Sequence, residues 1–259
     1  MTNWTRTLAA GVVAFAALTG AAQAEAVKIG IAAEPYPPFA SPDAAGNWVG
    51  WEVEIIGAVC EAAKLECAIT PVAWDGIIPA LTTKKIDAIM ASMSITEERK
   101  KTIDFSDKYY NTPTSVVGAK GTKMDATPEG LKGKILGVQV STIHADYAKK
   151  HFAGSAAEIK EYQTQDEANA DLAAGRIDAT QADGIALDAF LASEQGKACC
   201  ELKGNVADDP AILGLGAGVG IRQGDPLKDT FNAAIKAIRD SGKYDEISKK
   251  YFNFDIYGG

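Results

Sequence analysis

Leu81-Thr82-Thr83-Lys84-Lys85-Ile86-Asp87-Ala88 and Leu172-Ala173-Ala174-Gly175-Arg176-Ile177-Asp178-Ala179 are two versions of one phrase, L-x3-[KR]-I-D-A. In both, a helical pattern runs out after the leucine, and an apolar strand-forming run begins at the isoleucine. Self-similarity of this kind marks a repeated supersecondary unit. Five residues beyond the echoed aspartates stand Ser92 and Asp183. If the two units are equivalent, these polar side chains close matching strands, one from each unit, and face a shared cleft.

Working outward from the first phrase, strand patterns at 27–31, 68–72 and 86–91 alternate with helical patterns at 53–63 and 76–81. Around the second phrase, strands at 135–140 and 158–162 alternate with helices at 142–151 and 167–174. Alternation of strand and helix implies α/β construction around a parallel sheet. In such sheets small ligands bind beyond the carboxyl ends of the strands. Residues 111–117 carry Pro113 and a β-branched run without helical period, the character of an extended connection between units. A matching return is expected near 210–214, ahead of a Gly-rich strand at 215–221. The tail, 226–252, has a helical apolar face of Phe231, Ile235, Ile238, Ile247 and Tyr251, which is expected to pack back onto the first unit. Two crossings make a hinge, and closure around a ligand is its usual use. The expected division is therefore 25–111 with 213–259 as one lobe and 112–212 as the other.

At the N-terminus, Arg6 precedes an apolar run, 8–18, that ends in small residues and Ala22-Gln23-Ala24. This reads as a secretory signal at 1–24, cleaved after Ala24. Its apolar core is too short to span a hydrocarbon layer, for which about 20 residues are needed. An uncleaved anchor is the alternative; the lipoprotein route would require a cysteine at the cleavage point. The mature chain is expected outside the cytoplasm, in the periplasm. Losing Arg6 and no acid takes the formal charge from −8 to −9. A net-acidic surface without charge blocks argues against nucleic acid or anionic lipid as partner.

The four cysteines are disulfide candidates in an oxidising compartment, and with two histidines in all no zinc spacing appears. No metal or cofactor is expected. Cys60 and Cys67, on a helix and the strand after it, are expected to form a local structural bridge. Cys199-Cys200 is open between a vicinal bridge and free or intermolecular thiols.

More specific segments follow: Tyr36-Pro37-Pro38-Phe39, then Trp74-Asp75-Gly76-Ile77-Ile78-Pro79-Ala80-Leu81, then 85–99 with its Ser92-Met93-Ser94-Ile95-Thr96-Glu97-Glu98-Arg99 ending. With Leu131-Lys132-Gly133-Lys134 and the ending Lys249-Lys250-Tyr251-Phe252-Asn253, they span essentially the whole mature chain. In these segments the chain resembles the family 3 periplasmic solute-binding proteins, close to the lysine/arginine/ornithine, histidine and octopine binders. The resemblance implies the type II periplasmic-binding-protein fold, with two α/β lobes, each a mostly parallel sheet flanked by helices, and a two-strand hinge. It implies capture of an amino acid, a cationic one or an opine first, and delivery to the permease and ATPase subunits of an ABC importer by a monomer.

By the same resemblance Arg99 takes the ligand α-carboxylate, with Ser94 and the helix-opening Thr142 adding donors. A guanidinium suits this because its donors match both oxygens at once. Asp183 and Ser92 by position serve the α-ammonium; read alone, Asp183 is a helix cap and Ser92 a strand-end turn. Tyr36 and Trp74 match rings that flank the ligand side chain, where aromatic faces grip aliphatic stems and cations. Cationic binders carry an acid three residues before the tyrosine, whereas Ala33 stands here and Glu34 follows, either reaching a ligand cation or pointing to solvent. Ala91, Gln139, Ser141, Ile143 and His144 also depart from that pattern; of these Ala91, Gln139, Ser141 and His144, together with Met93, complete the expected lining. Two other functions compete: a dehydratase on the same fold with His144 as acid or base, and the ligand subunit of a sensor. The complete clamp of Arg99 and Asp183 argues for capture rather than turnover.

Overall fold

The computed structural model describes residue 1 and residues 25–258; the expected signal segment lies outside the described residues. The first lobe begins with β1 (Val27–Ala32), the short hairpin β2 (Ser41–Pro42) and β3 (Trp48–Val49), and α1 (Trp51–Ala63). It continues through β4 (Cys67–Val72), a 3-10 turn at Trp74–Gly76, α2 (Ile77–Thr82), β5 (Ala88–Ile89), α3 (Glu97–Lys100) and β6 (Asp104–Tyr110). The chain then crosses into β7 (Thr114–Ala119), β8 (Ile135–Gln139), α4 (Ile143–His151), β9 (Glu158–Tyr162), α5 (Gln165–Ala173) and β10 (Ala179–Asp183). After α6 (Gly184–Ala192), α7 (Glu194–Cys199), β11 (Cys200–Asn205) and α8 (Pro210–Leu213), it returns as β12 (Ala217–Ile221), α9 (Leu227–Asp240) and α10 (Lys243–Ser248).

Two five-stranded sheets result, ordered β4-β1-β5-β12-β6 and β11-β7-β10-β8-β9. In the first, β1 runs parallel to β4 and β5, while β12 is antiparallel to β5 and β6. In the second, β8 runs parallel to β9 and β10, while β7 is antiparallel to β10 and β11. Each sheet is thus parallel apart from one reversed strand, and that strand, β7 or β12, is the one that enters from the other lobe. Helices α1, α9 and α10 cover one face of the first sheet and α2 the other. Helices α4 and α8 cover one face of the second, and α5, α6 and α7 the other. The tail folds as its apolar face requires, with Phe231, Ile235, Ile238 and Ile247 at most 3% exposed against α1 and the first sheet.

The repeated phrase has a physical meaning in each sheet. Asp87 accepts the Lys28 N–H at 3.0 Å through its carboxylate and donates its own N–H to the Lys28 carbonyl. Asp178 does the same with Ile135, at 2.8 Å. The preceding Ile86 and Ile177 lie over Gly30 and Gly137, where a Cβ would collide with their Cδ1 atoms. Each phrase therefore locks the start of one strand to the start of its neighbour.

Two connections differ from expectation. Only Ala88 and Ile89 of the 86–91 run form ladder residues, although Met90 N–H still reaches the Gly30 carbonyl. The return at 210–214 is a helical turn instead of an extended segment, because Pro210 at the first helical position suits a helix start and Gly214, at φ 80°, ends it. Cys60 is bonded to Cys67 with Cα atoms 6.2 Å apart, and Cys199 to Cys200. No helix among the described residues is long and apolar enough to cross a membrane.

Candidate functional site

A cavity of about 710 Å³ lies between the lobes, lined by residues at the carboxyl ends of β1, β5, β8 and β10. That is where a doubly wound sheet leaves room for a small ligand. Of the expected residues, Glu34, Tyr36, Trp74, Ala91, Ser92, Ser94 and Arg99 line the first-lobe wall, and Gln139, Thr142, His144 and Asp183 the second. Two do not. Met93 is 1% exposed in the core with Ile77 and Leu81, since it alternates with the strand-end residues that face the cleft. Ser141 is exposed, and its left-handed backbone, φ 59°, turns its carbonyl toward Trp74 Nε1, 3.2 Å away, and Arg99 Nη2, 3.3 Å away.

Arg99 is held from below by the cap of α3, where Thr96 Oγ1 accepts its N–H, and its Nη1 donates to the Ser94 carbonyl at 2.9 Å. The guanidinium carbon sits 5.5 Å from the centre of the Trp74 ring. Burial lowers its pKa to about 10, which leaves it charged at neutral pH. Among the described residues no carboxylate lies within 4.0 Å of it. Opposite, α4 points its N-terminus at the cavity, an environment that favours a negative group. The Thr142 hydroxyl accepts from Ala145 N–H and donates to the Gln139 carbonyl, so its one proton is already used. The donors this end can offer a ligand are backbone N–H groups, not the threonine side chain.

Asp183 is 8% exposed and caps α6, with Oδ1 accepting from Ile185 N–H at 2.8 Å and Ala186 N–H at 3.3 Å. Its Oδ2 accepts a short hydrogen bond from the Thr112 hydroxyl. Burial raises its pKa to about 6, and no cation among the described residues pairs with it. Capping and cleft exposure therefore coexist in one carboxylate. Glu34 faces the cavity rather than solvent: Oε1 accepts the Trp74 N–H at 3.3 Å, and Oε2 is buried with no hydrogen-bond partner among the described residues. His144 lies in the wall 3.2 Å from Thr114 Oγ1, and burial together with the Arg99 charge depresses its pKa to about 3. Its imidazole is neutral at physiological pH.

Among the wall residues that escape sequence reading are Glu52, Tyr110 and Thr112. Thr112 and Tyr110 lie where the chain looks like connection and strand core. Glu52 left a signal, since Glu52, Ile55, Ile56 and Val59 form one helical stripe that packs inward, an acid on an apolar face.

The family model of bacterial extracellular solute-binding proteins, family 3, matches residues 27–254. The L-arginine-binding protein of Pseudomonas aeruginosa is 44% identical over 234 residues, 90% of each chain. The histidine-binding periplasmic protein of Salmonella typhimurium is 39% identical over 251 residues, 96% of each chain. Among solved structures, an ancestral arginine-binding protein bound to arginine superposes with a TM-score of 0.80 at 31% identity, covering 88% of this chain and 98% of that one. On this match over nearly the whole described chain, the protein belongs to the bacterial extracellular solute-binding proteins, family 3.

Proposed function

We propose that the chain captures an amino acid with a cationic side chain, arginine first and lysine, ornithine, histidine or an opine next, for an ABC importer. The observation that carries the reading is a cation and an anion, neither paired with an opposite charge among the described residues, on opposite walls of one cavity: Arg99 from the first lobe and Asp183 from the second. A free α-amino acid presents the complementary charges at one carbon. Desolvating either group is costly without its counter-charge, and the zwitterion supplies both. Arg99 and the α4 N-terminus take the carboxylate, Asp183 and Ser92 the ammonium, and Tyr36 and Trp74 flank the side chain. Glu34, with one carboxylate oxygen that has no hydrogen-bond partner among the described residues, takes the distal cation. The arginine- and histidine-binding relatives support this charge preference.

The division of the chain at 111–112 and 212–213 makes two lobes that close over the ligand. Ligand bound mainly to the first lobe shifts the pair toward closure by the added contacts of Asp183 and the α4 N-terminus. The closed monomer, in the periplasm after loss of residues 1–24, docks on the permease. With its pKa held down at about 3, His144 carries no acidic imidazolium proton at pH 7 and is a weak base, which disfavours the dehydratase reading; NMR of the protein incubated with amino acids checks it by the absence of product.

Thermal-shift screening against arginine, lysine, ornithine, histidine, octopine and glutamine tests the reading, since a ligand of the native state raises the melting temperature. Arginine is expected among the largest shifts. Arg99→Ala is expected to weaken arginine binding by about 100-fold or more, the cost of losing a charge-assisted bidentate partner, while the melting temperature of the ligand-free protein is unchanged or higher. Retained affinity removes the clamp from the reading.

A further inference from the structure

Beneath Ser92, at the first-lobe side of the cleft, lies a carboxylate that the clamp of Arg99 and Asp183 does not use. Glu52 is 1% exposed. Its Oε1 accepts the Ser92 N–H at 2.7 Å and a short bond from the Tyr109 hydroxyl, and its Oε2 accepts the Ser92 hydroxyl at 3.3 Å. No Lys, Arg or His among the described residues pairs with it, whereas Glu54, two residues on, is tied to Lys250 at the surface. A buried carboxylate that gathers three hydrogen bonds and no cation is set against a site where a cation arrives.

Direction is the informative part. A serine hydroxyl has one proton, and Ser92 gives it to Glu52, so the serine oxygen can only accept from the cleft. On the facing wall Thr112 likewise gives its proton to Asp183. The Ser92 backbone is left-handed, φ 55°, a conformation that disfavours serine, and the Glu52 bond to its N–H holds it there. Tyr110, 2% exposed, lies in the same lining. We propose that Glu52 is a positioning residue for ligand selection: by taking the Ser92 proton it makes this end of the cleft a surface of acceptors, which admits an α-ammonium and rejects acids that lack one. The inference rests on the proposed amino-acid binding and deepens it, since it places discrimination between α-amino acids and their desamino counterparts on a residue that acts through Ser92.

The test compares L-arginine with 5-guanidinopentanoic acid, the same molecule without its α-ammonium, by calorimetric titration of the wild type and Glu52→Gln. The amide is isosteric, but its NH2 donates where the carboxylate accepts, so the Ser92 proton turns into the cleft. Arginine affinity is expected to fall about 10- to 100-fold, the range for a hydrogen bond to a charged group, and that of the desamino acid by less than about 3-fold. Equal losses for both ligands, or none, overturn the proposal, because a purely structural role moves both alike. Should Glu52→Gln lack the native melting transition, Ser92→Ala carries the same comparison, with selective loss of arginine supporting the proposal and equal loss overturning it. Failure of the wild type to bind any α-amino acid would instead defeat the proposed function. If it binds another amino acid, that one and its desamino analogue replace the pair.

Discussion

Asp183 holds a helix start and faces a ligand site with a single carboxylate, and both duties need it ionised. Burial works against that, lifting its pKa to about 6 in the ligand-free protein. An ammonium in the cleft favours the charged form, so binding and deprotonation are linked. The affinity for arginine is therefore expected to be constant above about pH 7 and to fall as the pH drops through 6, by up to about tenfold per unit, in titrations between pH 5 and 8. A profile flat to pH 5 would mean that Asp183 is already ionised in the empty cleft. His144 adds nothing in this window, being held down at about 3. Removing Arg99 is accordingly expected to cost binding rather than folding, because a buried cation with no counter-charge among the described residues is a stability liability retained for its ligand.

At the scale of elements, the echoed phrase behaves as a strand clamp. Each aspartate exchanges two hydrogen bonds with the neighbouring strand, and each also meets a cation, Asp87 with Arg222 and Asp178 with Lys134. Asp178→Ala and Asp87→Ala are each expected to destabilise by about 1–3 kcal/mol, the cost of leaving a strand-end N–H unpartnered, read by urea denaturation. The asparagine variants, which keep an acceptor, are expected to lose less. Helix α4 joins the ligand site to the return crossing: its N-terminus lines the cavity, and near its other end His151 meets Asp209 at 2.7 Å and Tyr147 donates to the Ala207 carbonyl. A pull on the start of α4 is thus carried to the segment that re-enters the first lobe.

At the scale of the molecule, the two lobes meet across the cleft through the Ser141 carbonyl, which accepts from both Trp74 and Arg99. Trp74→Phe keeps a ring for the ligand side chain and removes one of these bonds. Arginine affinity is expected to fall about fivefold, the worth of roughly one neutral hydrogen bond, with the change in the dissociation rate measured by stopped flow. An unchanged rate would remove this contact from closure. Much of this organisation was legible in the chain: strand and helix alternation, the paired aspartates and the apolar face of 226–252 are written in local period and spacing, whereas the roles of Arg99 and Asp183 came from the family resemblance. Glu34 was left open, because whether a carboxylate meets solvent or a cavity depends on a Trp74 backbone forty residues away. Met93 and Ser141 do not line the cavity: Met93 alternates with Ser92 and Ser94 and so points into the core, and the left-handed backbone of Ser141 turns its carbonyl toward Trp74 and Arg99. Glu52 was not singled out, although its place on the apolar stripe with Ile55, Ile56 and Val59 set it apart from the surface-paired Glu54. The sequence by itself determined the two α/β units and their repeated strand clamp, because periodicity and residue chemistry act over a few positions; the opposite charges offered to a zwitterion were named only by resemblance. The tertiary structure alone decided which hydroxyls donate, which carboxylates lack a cation and which walls face each other, because those depend on partners brought together from both halves of the chain.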